Sequence, residues 1–227
     1  MLKLTDCQID ATGWKIKLPD ILLGKGELLV ITGSSGIGKS TLLHWLLGNI
    51  PEHVNISGKI LIDDIDVSQQ AIERRHIGLL MQDVYLFPHL SVQDNICFAL
   101  PKDNCFASKK QRRLEAMRML EQINLAHIGE RYPQNLSGDE RSRVGLLRAL
   151  ANKPKVMLLD EPFAALDPTN REQVGSWAFQ QLAQQHIPSI MVTHDKNDIP
   201  EFAKQLNLAD FFQQKDQHQK TLDRNNP

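Results

Sequence analysis

Residues 33–41 read GSSGIGKST and stand between an apolar run, Leu28–Thr32 (LLVIT), and a second one, Leu42–Gly48 (LLHWLLG). Glycine weakens the interior of strands and helices alike. A glycine cluster at a strand-to-helix junction therefore serves a close backbone approach to something. The spacing Gly33-x4-Gly38-Lys39-Ser40 predicts that this something is a phosphate. Glycines let backbone N–H groups converge on the anion, Lys39 adds positive charge at the β/γ-phosphates, and Ser40 offers a hydroxyl to Mg²⁺. The helix opening at about Lys39 turns its positive end to the same place. Gly33, Ser34, Ser35, Gly36, Ile37, Gly38, Lys39, Ser40 and Thr41 are thus expected to hold a nucleoside triphosphate. The alternative is a plain glycine turn, which the flanking strand and helix make the poorer account.

The chain has 227 residues, enough for one large domain with an inserted subdomain. Its net charge of −1 advertises no general nucleic-acid surface. Cys7, Cys97 and Cys105 show no metal-type or C-x-x-C spacing and read as free thiols in a reducing compartment. No secretory h-region opens the chain and no stretch reaches the ~20 apolar residues of a membrane helix. A soluble protein is expected, so any work at a membrane needs a second chain for the span.

Apolar patterning predicts strands through residue 85: LKLTDCQI and KIKLPDILL as an antiparallel pair, GELLVITG as a buried strand, then strands in SGKILIDDIDV and IGLLMQD. Residues 86–152 read as helical. Ser91 caps VQDNICFAL, and Ser108 caps a long helix over KKQRRLEAMRMLEQINLAHIG. From 153 to 212 the α/β alternation returns: KVMLLDEP as a strand, a helix opened by Asp167 and Pro168, SIMVTHD as a strand, and IPEFAKQL as a short helix. Residues 213–227 are polar and aperiodic and read as a weakly ordered tail. The expected architecture is α/β: a core over 1–85 and 153–212 that includes an N-terminal antiparallel β part, with an α-helical subdomain inserted at 86–152.

The strand KVMLLDEP ends in two adjacent carboxylates. Side chains alternate along a strand, so Asp160 and Glu161 are expected to point to different places. That suits a division of labour, with Asp160 holding Mg²⁺ through its water shell and Glu161 reaching the water that attacks the γ-phosphate. Gln82, Ser137, Asp167 and His194 each have a plain reading: a solvated glutamine, a capping box with Glu140, a helix start, and a strand-end polar residue.

Taken in order, the P-loop, Gln82 in LLMQD, LSGDE at 136–140, LLDEP, ALD at 165–167 and THD at 193–195 resemble the ATP-binding cassette (ABC) ATPases, from the P-loop to His194. The resemblance implies a P-loop NTPase core with the helical insertion described above. It implies that Gln82 touches Mg²⁺ or the attacking water, that Glu161 positions or deprotonates that water, and that His194 contacts the γ-phosphate. It implies that Ser137 and Gly138 meet the ATP held by a second copy of the chain, with Asp167 at the seam of a head-to-tail dimer. Ser40, Gln82 and Asp160 would share the Mg²⁺.

Two positions depart from the pattern. The family's Leu-Ser-Gly-Gly-Gln is here Leu136-Ser137-Gly138-Asp139-Glu140, so a carboxylate is expected to face a negatively charged phosphate. The aromatic residue that stacks on adenine has one candidate, Trp14, which sheet packing explains equally well. A cassette with no span of its own resembles the ATPases of bacterial importers, docked on membrane permease subunits at the cytoplasmic face and served indirectly by an external solute-binding protein. VYLFPHLSVQDNICFAL looks like importers of thiamine, polyamines, iron and sulfate, and the short chain points to the thiamine type. A DNA-repair ATPase of the same family would need heptad arms, which are absent. A P-loop small-molecule kinase would leave LSGDE and THD unexplained.

Overall fold

The computed structural model describes residues 1–50, 52–101 and 108–214. Two sheets and three groups of helices follow the apolar patterning closely. Strands β1 (Leu2–Ala11), β2 (Trp14–Lys17), β3 (Ile21–Leu23), β5 (Val54–Ile62) and β6 (Ile65–Asp66) make an antiparallel sheet, ordered β2-β1-β5-β6 with β3 also on β1. Strands β4 (Leu28–Thr32), β7 (Ile77–Leu80), β8 (Val156–Asp160) and β9 (Ser189–Val192) are parallel, ordered β4-β9-β8-β7. Their continuous apolar runs belong to strands covered on both faces. Val156 and Leu158 of β8 face one core, and Met157 and Leu159 face another.

The first core lies between the two sheets and is filled by α1 (Lys39–Leu47), through Leu42, Leu43 and Leu46. The second covers the opposite face of the parallel sheet with α5 (Pro168–Gln184) and part of α4 (Gly138–Ala151). The third gathers α2 (Val92–Ala99), α3 (Lys109–Gln122) and the other side of α4. Helix α4 therefore joins the helical group to the sheet that carries the P-loop.

The caps read from sequence form. Ser91 Oγ accepts the Asp94 N–H, and Ser108 with Gln111 makes a full capping box. Asp167 accepts from the Thr169 and Asn170 N–H groups ahead of Pro168. One cap is tertiary. The buried Arg75 guanidinium donates to Trp45 O and Leu46 O at the end of α1, and also to Ser68 O and Gln70 O.

Three expectations are corrected. Helix α3 stops at Gln122 rather than near Gly129, because Asn124 takes a left-handed φ of 58° and redirects the chain. IPEFAKQL forms no helix. Its second half is β10 (Lys204–Asn207), which pairs with β4 at the sheet edge, so ladder bonds override local propensity after Pro200. The polar tail is not unstructured from Gln213. Phe212–Gln214 is β11, an edge strand on β2. Residues 215–227, and Cys105 with them, lie outside the described residues.

Candidate functional site

Parallel strands put all their C-terminal ends on one edge, where ligands of open α/β sheets bind. Here that edge carries Gly33 after β4, Asp160 and Glu161 at the end of β8, Thr193 and His194 after β9, and Gln82 past the end of β7.

The P-loop wraps the N-terminus of α1. Gly33, Gly36 and Gly38 have φ of 149°, 79° and 111°. A Cβ on Gly33 would stand 2.9 Å from Ile37 Cγ2, so this turn admits no side chain there. Ser34, Ser35 and Gly36 are exposed at the tip, while Ile37 anchors the loop in the first core. Lys39 is only 9% exposed and donates from Nζ to Gly33 O (2.7 Å) and Ser34 O (3.1 Å). Its ammonium is thus held within the loop. Ser40 and Thr41 follow in the first turn of α1.

Asp160 faces α1. Burial raises its carboxyl above the usual range, as does the charge of Glu161; His44, a hydrogen bond from Ser40, and Lys39 act the other way. Glu161 does not continue the strand alternation. Its φ is 47°, a left-handed turn unusual for a non-glycine residue, fixed by its N–H donating to Val192 O at 3.0 Å. This turn sends the carboxylate to β9, where Oε1 lies 2.8 Å from His194 Nδ1 and Oε2 lies 3.3 Å from Thr193 Oγ1. The two carboxylates therefore do serve different neighbours, through a backbone turn rather than through the pleat. The hydrogen bond and charge of Glu161 raise the His194 imidazole above its ordinary value, and Nδ1 is the proton-bearing nitrogen in that arrangement. Lys39, Ser40 and Asp160 supply the ammonium, hydroxyl and carboxylate that a magnesium nucleotide requires. The residues present fit that ligand.

Other predicted residues lie elsewhere. Gln82 is exposed at the same sheet edge, two residues beyond Leu80, which pairs with Leu159. Ser137 and Gly138 open α4 in the helical group. Ser137 Oγ accepts the Glu140 N–H and the Glu140 carboxylate accepts the Ser137 N–H, while both Ser137 and Gly138 stay exposed. A Cβ on Gly138 would meet nothing within 4 Å, so the surface there is open. Asp167 is exposed and used as a helix cap. Asp139 corrects an expectation: its carboxylate turns along its own helix to pair with Arg143, and its second oxygen is buried. Trp14 packs at the start of the P-loop helix. Its ring lies against Gly38 of the P-loop, since a Cβ there would be 3.1 Å from Cη2, and it also stacks on Phe212 at 5.9 Å.

Sequence reasoning missed Thr193, Asp198 and Arg171. Thr193 and Asp198 are buried behind Glu161 with the part-exposed Arg171 on Asp198, and the one signal for this group was the hydroxyl preceding His194.

The ABC transporter family matches this chain over residues 19–164. The chain belongs to that family. Among its ABC relatives, the sulfate/thiosulfate import ATP-binding protein CysA of Thermosynechococcus vestitus is 38% identical over 192 residues, covering 84% of this chain and 55% of that protein. The uncharacterized ABC transporter ATP-binding protein YnjD of Escherichia coli (strain K12) is 37% identical over 185 residues, covering 82% of this chain and 84% of YnjD. The chain spans about half the length of the first CysA relatives it matches, 55% and 54%. In three dimensions it is similar to the dimeric post-hydrolysis structure of the ATP-binding cassette MJ0796 bound to ADP and Pi. The TM-score is 0.77 at 28% identity, with 92% of this chain and 94% of that one covered. The fold is thus the ABC ATPase fold, with an antiparallel sheet beside the parallel one.

Proposed function

We propose that this chain is the ATP-hydrolysing subunit of an ABC importer. The observation that carries the reading is the meeting of the P-loop with Asp160, Glu161 and His194 at one sheet edge, with Glu161 and His194 2.8 Å apart. In this reading Lys39 and the loop amides hold the phosphates, and Ser40, Asp160 and Gln82 hold the metal. Mg²⁺, when bound, neutralises charge on the phosphate oxygens. Glu161 orients the attacking water and takes its proton. His194, tied through Nδ1, keeps Nε2 free for the γ-phosphate. Trp14 offers an aromatic face to the adenine.

Ser137 and Gly138 are exposed and away from the P-loop's own elements, which fits a partner copy's nucleotide as their ligand. The functional unit is then an ATP-dependent head-to-tail pair with Asp167 at its seam. No described helix is long and apolar enough to cross a membrane, so permease subunits supply the span and the pair works on their cytoplasmic side. An external solute-binding protein would act on the permease and reach this chain only indirectly. The relatives named for sulfate/thiosulfate import make an oxyanion one candidate solute, and the sequence resemblance makes thiamine another.

The test is MgATP hydrolysis by the purified chain and by Glu161→Gln. Loss of a positioning or general-base carboxylate typically costs about 10²- to 10⁴-fold, and ATP should trap the variant as a dimer on size exclusion. Near wild-type turnover by Glu161→Gln removes it from the mechanism. Co-purified permease subunits, assayed with sulfate and with thiamine, decide the solute.

A further inference from the structure

Thr193 is fully buried at the end of β9, and its hydroxyl sits between two carboxylates. Oγ1 is 3.0 Å from Asp198 Oδ2 and 3.3 Å from Glu161 Oε2, and it accepts the Asp195 N–H at 3.1 Å. A hydroxyl has a single proton to donate. It can serve one carboxylate and must turn a lone pair to the other.

The surroundings decide which. The Asp198 side chain is 2% exposed, and its Oδ1 has no hydrogen-bond donor among the described residues. Its counter-charge is Arg171, with Nε 3.6 Å away, and Arg171 is shared with Asp195. Burial raises the Asp198 carboxyl, and the Thr193 hydrogen bond and the Arg171 charge oppose that. Glu161 is less enclosed, at 12% exposed, and already has His194 on Oε1. The more buried and less partnered carboxylate loses more when its donor is withdrawn. The shorter contact agrees. The Thr193 proton belongs to Asp198.

We propose that Asp198 is a positioning residue for hydrolysis: by retaining the Thr193 proton, it leaves the Glu161 Oε2 lone pairs open to accept a hydrogen bond from the attacking water. A hydroxyl proton donated to Oε2 would take up an acceptor position that the attacking water needs. Freed from Asp198, the Thr193 hydroxyl would turn to Glu161 and do that. This inference rests on the proposed role of Glu161 in ATP hydrolysis.

The test is a double-mutant cycle on the full chain, read as kcat and KM for MgATP. Asp198→Asn is nearly isosteric. Arg171 keeps the amide oxygen on its own side, so the NH₂ faces Thr193 and drives the hydroxyl proton to Glu161. We expect kcat to fall about tenfold with KM unchanged, the size of a hydrogen bond to a charged group. Thr193→Val, which also strands the Asp195 N–H, should cost about threefold. The double variant should return to the Thr193→Val level, above Asp198→Asn, because no hydroxyl remains to be misdirected. Asp198→Ala should repeat the pattern. Additive losses in the double variant, or wild-type kcat in Asp198→Asn, overturn the proposal. Glu161→Gln is run alongside. If it hydrolyses near the wild-type rate, the reading of Glu161 fails first; if it is inactive while the cycle is additive, only the Asp198 proposal fails.

Discussion

Replacing Gly145 by alanine puts one methyl group into the contact between α4 and the segment that follows Gln82. A Cβ there would stand 2.4 Å from Val84 Cγ1, 3.1 Å from Cγ2 and 3.3 Å from Cβ. Rotating the valine cannot clear all three, and β-branched side chains are stiff at χ1. The backbone at Val84 must move by about 1 Å to restore ordinary carbon contacts. Overpacking of this kind costs about 1–3 kcal/mol, and the 2.4 Å approach belongs at the upper end. Alanine is favoured over glycine in a helix interior by about 1 kcal/mol. The net loss is then about 2 kcal/mol, or about 4–8 °C in Tm for a chain of this size. Thermal unfolding by circular dichroism measures it, with Gly145→Ala/Val84→Ala as the control. Removing the two valine methyl groups should recover at least half of the Tm loss. A higher Tm in Gly145→Ala would show that the Val84 segment yields freely, and it would refute the packing argument. A Tm loss with no recovery in the double variant would place the strain elsewhere in α4.

Arg75→Ala should cost about 2–3 kcal/mol, because it removes the guanidinium from two buried carbonyls at the end of α1, of which Trp45 O keeps the Gly48 N–H, and from the part-buried Ser68 and Gln70 carbonyls; urea unfolding reads this directly, and a change under 1 kcal/mol would mean that water replaces the guanidinium. Glu161→Gln should lower the His194 pKa, which Glu161 holds above the ordinary 6.5; an NMR titration of the imidazole in both proteins gives the sign. The stabilising contribution of that pair is present below pH 6.5 and is lost as pH rises through the elevated folded value. Asp139→Gly should cost about 1–2 kcal/mol of monomer stability, through the lost first-turn carboxylate, the Arg143 pair and glycine itself. It should shift ATP-driven dimerisation, measured by light scattering on the Glu161→Gln background, by less than about threefold. A dimer strengthened well beyond that would restore the view that the carboxylate faces the phosphate. Cys7, pushed up to about 12 by burial and by Asp20 and Asp6, should resist maleimide at pH 8 until the chain is unfolded.

Some of this protein is decided locally, and there the sequence alone is sufficient. GSSGIGKST between a buried strand and a helix reads as a phosphate loop from sequence alone, because glycine spacing and an adjacent lysine are properties of a few consecutive residues. The capping boxes at Ser108 and Ser137 and the Asp167-Pro168 helix start are likewise closed within four residues. The runs LLVIT, VMLLD and SIMV declare buried parallel strands by composition. What the tertiary structure alone decided involves partners far apart in the chain. Lys204–Asn207 becomes a strand because the edge of β4 is free to pair with it, against its helical pattern. Arg75 caps α1 across about thirty residues. The direction of Asp139 is set by Arg143 and the packing around it, not by its place in a motif. The route from Glu161 to His194, Thr193 and Asp198 exists only because β8 and β9 are neighbours in the sheet, and because a left-handed turn at Glu161 carries its carboxylate across to them. Local rules fix which groups are present. The hydrogen-bond ladder and the burial around it fix which of them meet, and only where they meet does desolvation decide which carboxylate keeps the proton of Thr193.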